Sequence, residues 1–241
     1  MTMSSRAVRD ILSAVQADSR DTEGLPASLV RLCAQTLPVS GVGLALMTDD
    51  GPAGTVAATD DGALQLEELQ FTLGQGPCVD ASRTGRPVLA PDLAGTSTRS
   101  WPQFAAGADT AGLRAVFAFP LQVGAIRLGV LDLYRDTAGE LSQRELADAL
   151  SFADAATQLL LDLQAQDSAQ GAPPAHAVAV LDDRAEVHQA TGVVSVRTGA
   201  SLAQALALLR ARAYAEDRPI GDLARDVLDG VVGFGEADDH D

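Results

Sequence analysis

Apolar positions in the first 38 residues recur at helical intervals. Val8, Ile11, Leu12 and Val15 share one face, and Leu25, Leu29, Leu32 and Cys33 repeat the spacing until Pro38 ends it, so residues 1–38 read as helical. Val42–Met47 then reads as a short buried strand. Asp49-Asp50-Gly51-Pro52 is a turn, and Val56–Thr59 suits the returning strand. From Phe71 to Trp101 the chain is rich in Gly, Pro, Ser and Thr, with short apolar pieces such as Val88-Leu89. That pattern predicts loops and short strands around a cavity.

Ala115–Leu121 and Ile126–Tyr134 are two apolar runs joined around Gly124, a predicted hairpin. The second run is apolar on both faces, with Ile126, Leu128 and Val130 on one and Leu131 and Leu133 on the other. It therefore belongs in the middle of a sheet covered on both sides, and only Asp132 interrupts it. Ser142 and Glu145 form a capping box ahead of a helix whose stripe runs through Leu146, Ala149, Leu150, Ala153, Ala156, Leu160 and Leu163. Leu159-Leu160-Leu161 widens that stripe beyond what one sheet can cover, which predicts a parallel homodimer through this helix, joined by the helix around Val8–Val15.

Gly171 and Pro173-Pro174 mark a linker over 166–179. Three short helices are predicted beyond it. The first spans about Leu181–Val196, although Val193, Val194 and Val196 also suit a strand. The second opens on a capping box, Ser201 with Gln204, and carries Leu202, Ala205, Leu206, Leu209 and Ala213. The third follows Pro219 with Ile220, Leu223, Ala224, Val227, Leu228 and Val231 on one face. None is long enough to be stable alone, so the three must share a core.

Composition narrows the function classes. The net charge is −16, all 17 basic residues are arginine, and the charge is unevenly spread. Residues 181–235 hold six Arg against eight acidic residues, and the last six residues form an acidic tail. Indiscriminate binding to nucleic acid or to anionic membranes is not expected. No run of 18 apolar residues predicts a membrane span, and the N-terminus lacks a signal-peptide layout, so a cytoplasmic location is expected. The three histidines, His176, His188 and His240, are too scattered for a metal site. The two cysteines, Cys33 and Cys78, form no ligand pattern, and neither metal nor cofactor is expected. The "GQG" at 74–76 lacks the Lys-Ser/Thr of a phosphate loop. With no His before His176 a catalytic triad in the first half is excluded, and no enzyme is read here.

The stretches "LGQGPCVDA", "GRPVLAPDL", "WPQF" and "AVFAFPLQVGAIRLGVLDLYR" make residues 20–165 resemble a GAF domain, a small-molecule sensor module related in fold to PAS domains. Arg184, "QATG" at 189–192, "RTG" at 197–199, Ala205, Leu209-Arg210, Ala213 and Leu223-Ala224 make residues 180–235 resemble an ANTAR domain, a three-helix RNA-binding module of bacterial antiterminators. The resemblance implies an α+β chain: an N-terminal helix over 1–19, an antiparallel sheet flanked by helices, a linker, a three-helix bundle and an acidic tail over 236–241. Many ANTAR members carry lysine where this chain has Thr191, which removes a candidate phosphate contact.

The resemblance assigns RNA contacts to Arg184, His188, Gln189, Thr191, Gly192, Arg197 and Arg210. Each has a plainer reading. Ala190 and Gly192 also suit helix packing, and Arg184, His188 and Arg197 also suit a solvated face. Arg210, read as the end of the second helix, also suits a C-terminal charge cap. In the sensor half Trp101, Phe104, Phe117 and Phe119 are candidate walls of a ligand pocket, with Cys78 beside them. In a chain with 4% aromatics they also suit core volume. The expected function is a signal-responsive, RNA-binding antitermination regulator whose partners are hairpin RNA in a nascent transcript, a small-molecule signal and a second copy of the chain. The competing expectation is a non-enzymatic ligand-binding or protein-interaction module whose last helices have lost RNA binding.

Overall fold

Alternation along one strand decides the layering. In the computed structural model, which describes residues 3–18, 24–48, 51–95, 97–169, 184–216 and 218–234, the strands are β1 (Gly41–Thr48), β2 (Gly51–Ala58), β3 (Val88–Ala90), β4 (Ala115–Val123) and β5 (Ile126–Arg135). They pair antiparallel in the order β2-β1-β5-β4-β3, so the doubly apolar run is the central strand. Leu131 lies opposite Leu44 and Phe119, and Leu133 opposite Val42 and Phe117, which puts all six on one face. Asp132 lies opposite Gly43 and Ala118 and faces the other way.

The first face is covered by α1 (Met3–Asp18), α2 (Gly24–Thr36) and, from the far end of the fold, the long helix Gln143–Ala169. The second face carries α3 (Asp61–Leu73), α4 (Pro77–Thr84), α5 (Ser97–Ser100) and α6 (Pro102–Thr110); with these named, the long helix is α7. Loops and short strands around a cavity were expected over Phe71–Trp101; β3 is such a strand, but the end of α3, α4 and α5 also fall there. The periodicity of α3 is hidden because two of the residues that it turns inward are polar, Glu67 and Gln70, beside Ala63, Leu66 and Phe71. Its ends are still marked in the sequence. The Asp60 carboxylate accepts from the Ala63 N–H at 2.8 Å, and Gly74 closes the helix at φ 60°.

The expected capping box of α7 is present: the Ser142 N–H donates to Glu145 Oε2 at 2.6 Å, and the Glu145 N–H donates to Ser142 Oγ at 3.3 Å. The surplus leucines, however, are covered inside the protomer. Val8 and Val15 of α1 join the core with Leu159 and Leu160, and Leu160 has no exposed surface. Along α7 the exposed large apolar residues are Leu150 and Leu161. The apolar excess from which a dimer was expected is thus largely met by α1.

α7 runs to Ala169, into the range 166–179 where a linker was expected; residues 170–183 and the acidic tail lie outside the described residues. Beyond them come α8 (Ala185–Thr198), α9 (Leu202–Ala215) and α10 (Ile220–Leu228). The valines of α8 do not divert it to a strand, because Val187 and Val194 are buried against the two other helices. The capping box of α9 is formed, with Ser201 and Gln204 exchanging bonds of 2.9 and 3.3 Å. Ala205, Leu206, Leu209, Ala213, Ile220, Leu223, Ala224 and Val227 complete this core together with Phe71 from α3. The three-helix unit thus borrows a side chain from the sheet domain.

Candidate nucleic-acid interface

Arg184 stands just before α8, and His188 and Thr191 follow at helical spacing on the same side. The Arg184 Nη1 lies 2.6 Å from Glu68 Oε2, and its guanidinium carbon lies 4.0 Å from the centroid of the Phe71 ring. From α9, the guanidinium of Arg210 approaches the same ring at 5.4 Å. Both distances fall within cation–π range. Arg210 also passes over Gly74, where a Cβ would come within 2.8 Å of its Nη1, so the left-handed cap and the missing side chain are both used there. Arg210 is four residues or more from the end of α9, which runs to Ala215; Arg212 occupies the last turn. The reading of Arg210 as a C-terminal charge cap is therefore corrected.

Behind Phe71, the second face of the sheet holds a buried acidic pair. Glu67 and Asp132 face each other with neither carboxylate in contact with solvent, and a Cβ at Gly43 would collide with the Glu67 carboxylate. Gln70 Nε2 donates to Asp132 Oδ2 at 3.0 Å, and Gln70 Oε1 accepts from the Cys78 N–H at 2.8 Å. Burial, then the negative charge of Asp132, pushes Glu67 well above the usual carboxylate range, and the charge of Arg184 partly opposes it. Burial carries Asp132 up to about 7, while the hydrogen bonds it accepts from Gln70 and Glu67 hold it down. Once Asp132 has ionised, at about 7, Glu67 is accordingly the proton carrier of the pair and Asp132 the acceptor. His188 is held below the ordinary histidine value, first by burial and also by the charges of Arg184 and Arg210, against a hydrogen bond to the Ala53 backbone.

The expected RNA contacts divide into two groups. Arg184, His188 and Arg210 are turned to the sheet domain. Thr191 is buried and donates from Oγ1 to the Val187 carbonyl at 2.7 Å. Gln189 and Arg197 are exposed, and a Cβ at Gly192 would meet nothing within 4 Å among the described residues, so packing does not demand glycine there. The expected pocket walls also divide. Trp101 and Phe104 pack edge to face at 6.2 Å on the second face, with Trp101 Nε1 donating to Asp80 Oδ2 at 3.0 Å. Cys78 lies buried nearby among Met47, Ala81, Ala118 and Val130, its thiol pushed up by burial. Phe117 and Phe119 are on the first face, under α1, α2 and α7, so the four aromatics do not line one cavity. Clefts open instead along the seam between α3 and the last helices. One, of about 550 Å³, is lined by Thr55–Ala58, Leu64, Gln65, Glu68 and Arg184.

Glu67, Glu68, Gln70 and Phe71 were not singled out from the sequence. The signal available was Asp132, an acid in an otherwise apolar central strand, which requires a buried partner. Among the described residues no single helix is long and apolar enough to cross a membrane.

Comparison with known proteins fits this division. The GAF domain family matches residues 19–161, and the ANTAR domain family matches residues 175–228. No curated protein matches the chain. A domain of a protein described as a two-component sensor histidine kinase from Sinorhizobium meliloti superposes with a TM-score of 0.51 at 17% identity, over 63% of this chain and 99% of that one. The GAF domain of a phosphoenolpyruvate-protein phosphotransferase from Coxiella burnetii gives 0.49 at 16% identity, over 70% and 96%. A free methionine-R-sulfoxide reductase from Neisseria meningitidis gives 0.43 at 18% identity, over 65% and 87%. Both matched families are sensing and regulatory domains rather than catalytic ones. The chain belongs to the GAF domain family and carries an ANTAR domain behind its sensor fold.

Proposed function

We propose that this chain is a cytoplasmic transcription antitermination regulator that binds hairpin RNA in nascent transcripts through α8 and α9, under control of a small-molecule signal at the sheet domain. The observation that supports this reading best is the convergence of Arg184 and His188, at the start of α8, and Arg210, in α9, on one seam against the sheet domain. Guanidinium groups pair with phosphate and stack on unpaired bases, the two contacts by which loops of RNA hairpins are recognised. Stabilising one hairpin that excludes a terminator hairpin is then sufficient for antitermination. An electrophoretic shift with micromolar protein tests the reading: an RNA of two short-stem hairpins in tandem is retarded, and single hairpins or scrambled loops are not. Equal retardation of all three overturns specific recognition.

Homodimerisation belongs to this proposal, since two copies would present two RNA surfaces to a paired target. With Leu159 and Leu160 covered, Leu150 and Leu161 on α7 are the residues left for a second copy. Sedimentation velocity gives a dimer that Leu161→Asp dissociates, and a 24.8 kDa monomer at micromolar concentration overturns it.

The second reading, an interaction module without RNA binding, is favoured by the burial of Thr191 and by the Glu68 partner of Arg184. It requires protein purified without a salt wash to carry no absorbance at about 260 nm from RNA, whose electrostatic binding salt would weaken.

A further inference from the structure

The geometry points to α3 as an internal stand-in for RNA: the Glu68 carboxylate takes the place of a phosphate and the Phe71 ring that of a stacked base, so the sensor domain and an RNA loop compete for Arg184 and Arg210. This rests on the RNA-binding reading above and adds what occupies that surface. Three observations carry it. The ion pair from Arg184 Nη1 to Glu68 Oε2 is 2.6 Å long, the charge-assisted contact that a guanidinium equally makes to a phosphate oxygen. The guanidinium carbons of Arg184, at the N-terminal end of α8, and Arg210, in α9, lie 4.0 and 5.4 Å from the centroid of the Phe71 ring. Both charges lie within cation–π range of the ring, the kind of π-face that an unpaired base also offers to arginine. Finally, Phe71 belongs by sequence to α3 of the sheet domain but is buried in the three-helix core, so α3 fills a place on the helical unit as a ligand would.

A guanidinium that is paired to Glu68 and stacked on Phe71 is not available to a phosphate and a base in the same geometry. Binding of RNA therefore requires the seam to open, and the apparent affinity is the intrinsic affinity reduced by the fraction of open molecules. The cleft of about 550 Å³ that includes Glu68 and Arg184 lies at the edge of this contact, so a ligand seated there would bear directly on the ion pair. Gln189, Gly192 and Arg197 stay accessible in the closed form and offer a first weak contact.

The test uses the full chain and a fluorescently labelled RNA of two short-stem hairpins in tandem, read by anisotropy, with amide hydrogen exchange at α8 and the last turn of α3 reporting the state of the seam. Glu68→Arg places like charge against Arg184 without touching the core, and Phe71→Leu keeps an apolar side chain, somewhat smaller, while removing the ring. Glu140→Arg is an exposed site away from the seam and controls for added positive charge. The expected result is faster exchange at the seam and RNA binding about tenfold tighter or more for Glu68→Arg and Phe71→Leu than for wild type and Glu140→Arg, with the gain lost on adding Arg210→Ala. Equal affinity of wild type and the two seam variants, with binding still weakened by Arg184→Ala or Arg210→Ala, overturns the stand-in while leaving the RNA-binding reading in place. No binding by variants whose exchange shows an open seam overturns both.

Discussion

Asp132→Asn should flatten the dependence of stability on pH. In an unfolded chain Asp132 loses its proton near its ordinary value of 3.8, whereas in the folded protein it keeps the proton up to about 7. Between those values the unfolded state binds fewer protons than the folded one, so stability falls as pH rises. The stabilisation is complete below the ordinary carboxylate range and is gone once pH has passed through about 7. At about 1.36 kcal/mol per pKa unit the full span is on the order of 4 kcal/mol, of which roughly 2 kcal/mol is lost between about pH 5 and 7. Glu67, raised by burial and by Asp132, extends the loss in the same direction at higher pH. His188 acts oppositely: its depressed value lets stability rise as pH climbs toward the ordinary histidine range. Comparing wild type with variant cancels that contribution. Urea unfolding followed by the fluorescence of the single Trp101, at pH values from about 5 to 8, reads the effect directly. The variant should show the shallower slope and exceed wild type in stability at the alkaline end. A wild-type midpoint that is level or rises across this range, or an equal slope in the variant, refutes the account of the buried pair.

Other expectations follow from single features. Ser201→Ala removes the hydroxyl half of the capping box of α9 and should cost about 1 kcal/mol in urea unfolding, with Ser201→Asn restoring most of it. Leu160→Ala should destabilise the chain by roughly 2–5 kcal/mol through a cavity under α1, seen as a lowered thermal midpoint; a variant of unchanged stability would show that Leu160 is not the core residue described. Cys33 and Cys78 are both buried with thiols pushed up by burial, so an aromatic disulfide reagent should leave both unmodified in the native protein and modify them in urea.

Local rules written in the sequence set most of the elements. Ser142 with Glu145 and Ser201 with Gln204 fix two helix starts because each pair satisfies free backbone donors within a single turn, without help from the rest of the chain. The run from Ile126 to Tyr134, apolar on both faces, fixes the central strand, because only a sheet covered on both sides hides it. Periodicity fails where the inward residues are polar. In α3, Glu67 and Gln70 are stable inside only because Asp132, from a strand more than sixty residues away, shares their hydrogen bonds and proton.

Tertiary structure alone decided which faces meet. The widened leucine stripe of α7 announced that it needed cover, but its pattern cannot distinguish a second copy from α1, and Val8 and Val15 supply that cover within the chain. The motif from Arg184 to Arg210 marks cationic positions on two helices without stating their partner. The structure supplies Glu68 and Phe71, because an ion pair and a ring stack depend on through-space distance, which sequence separation does not encode.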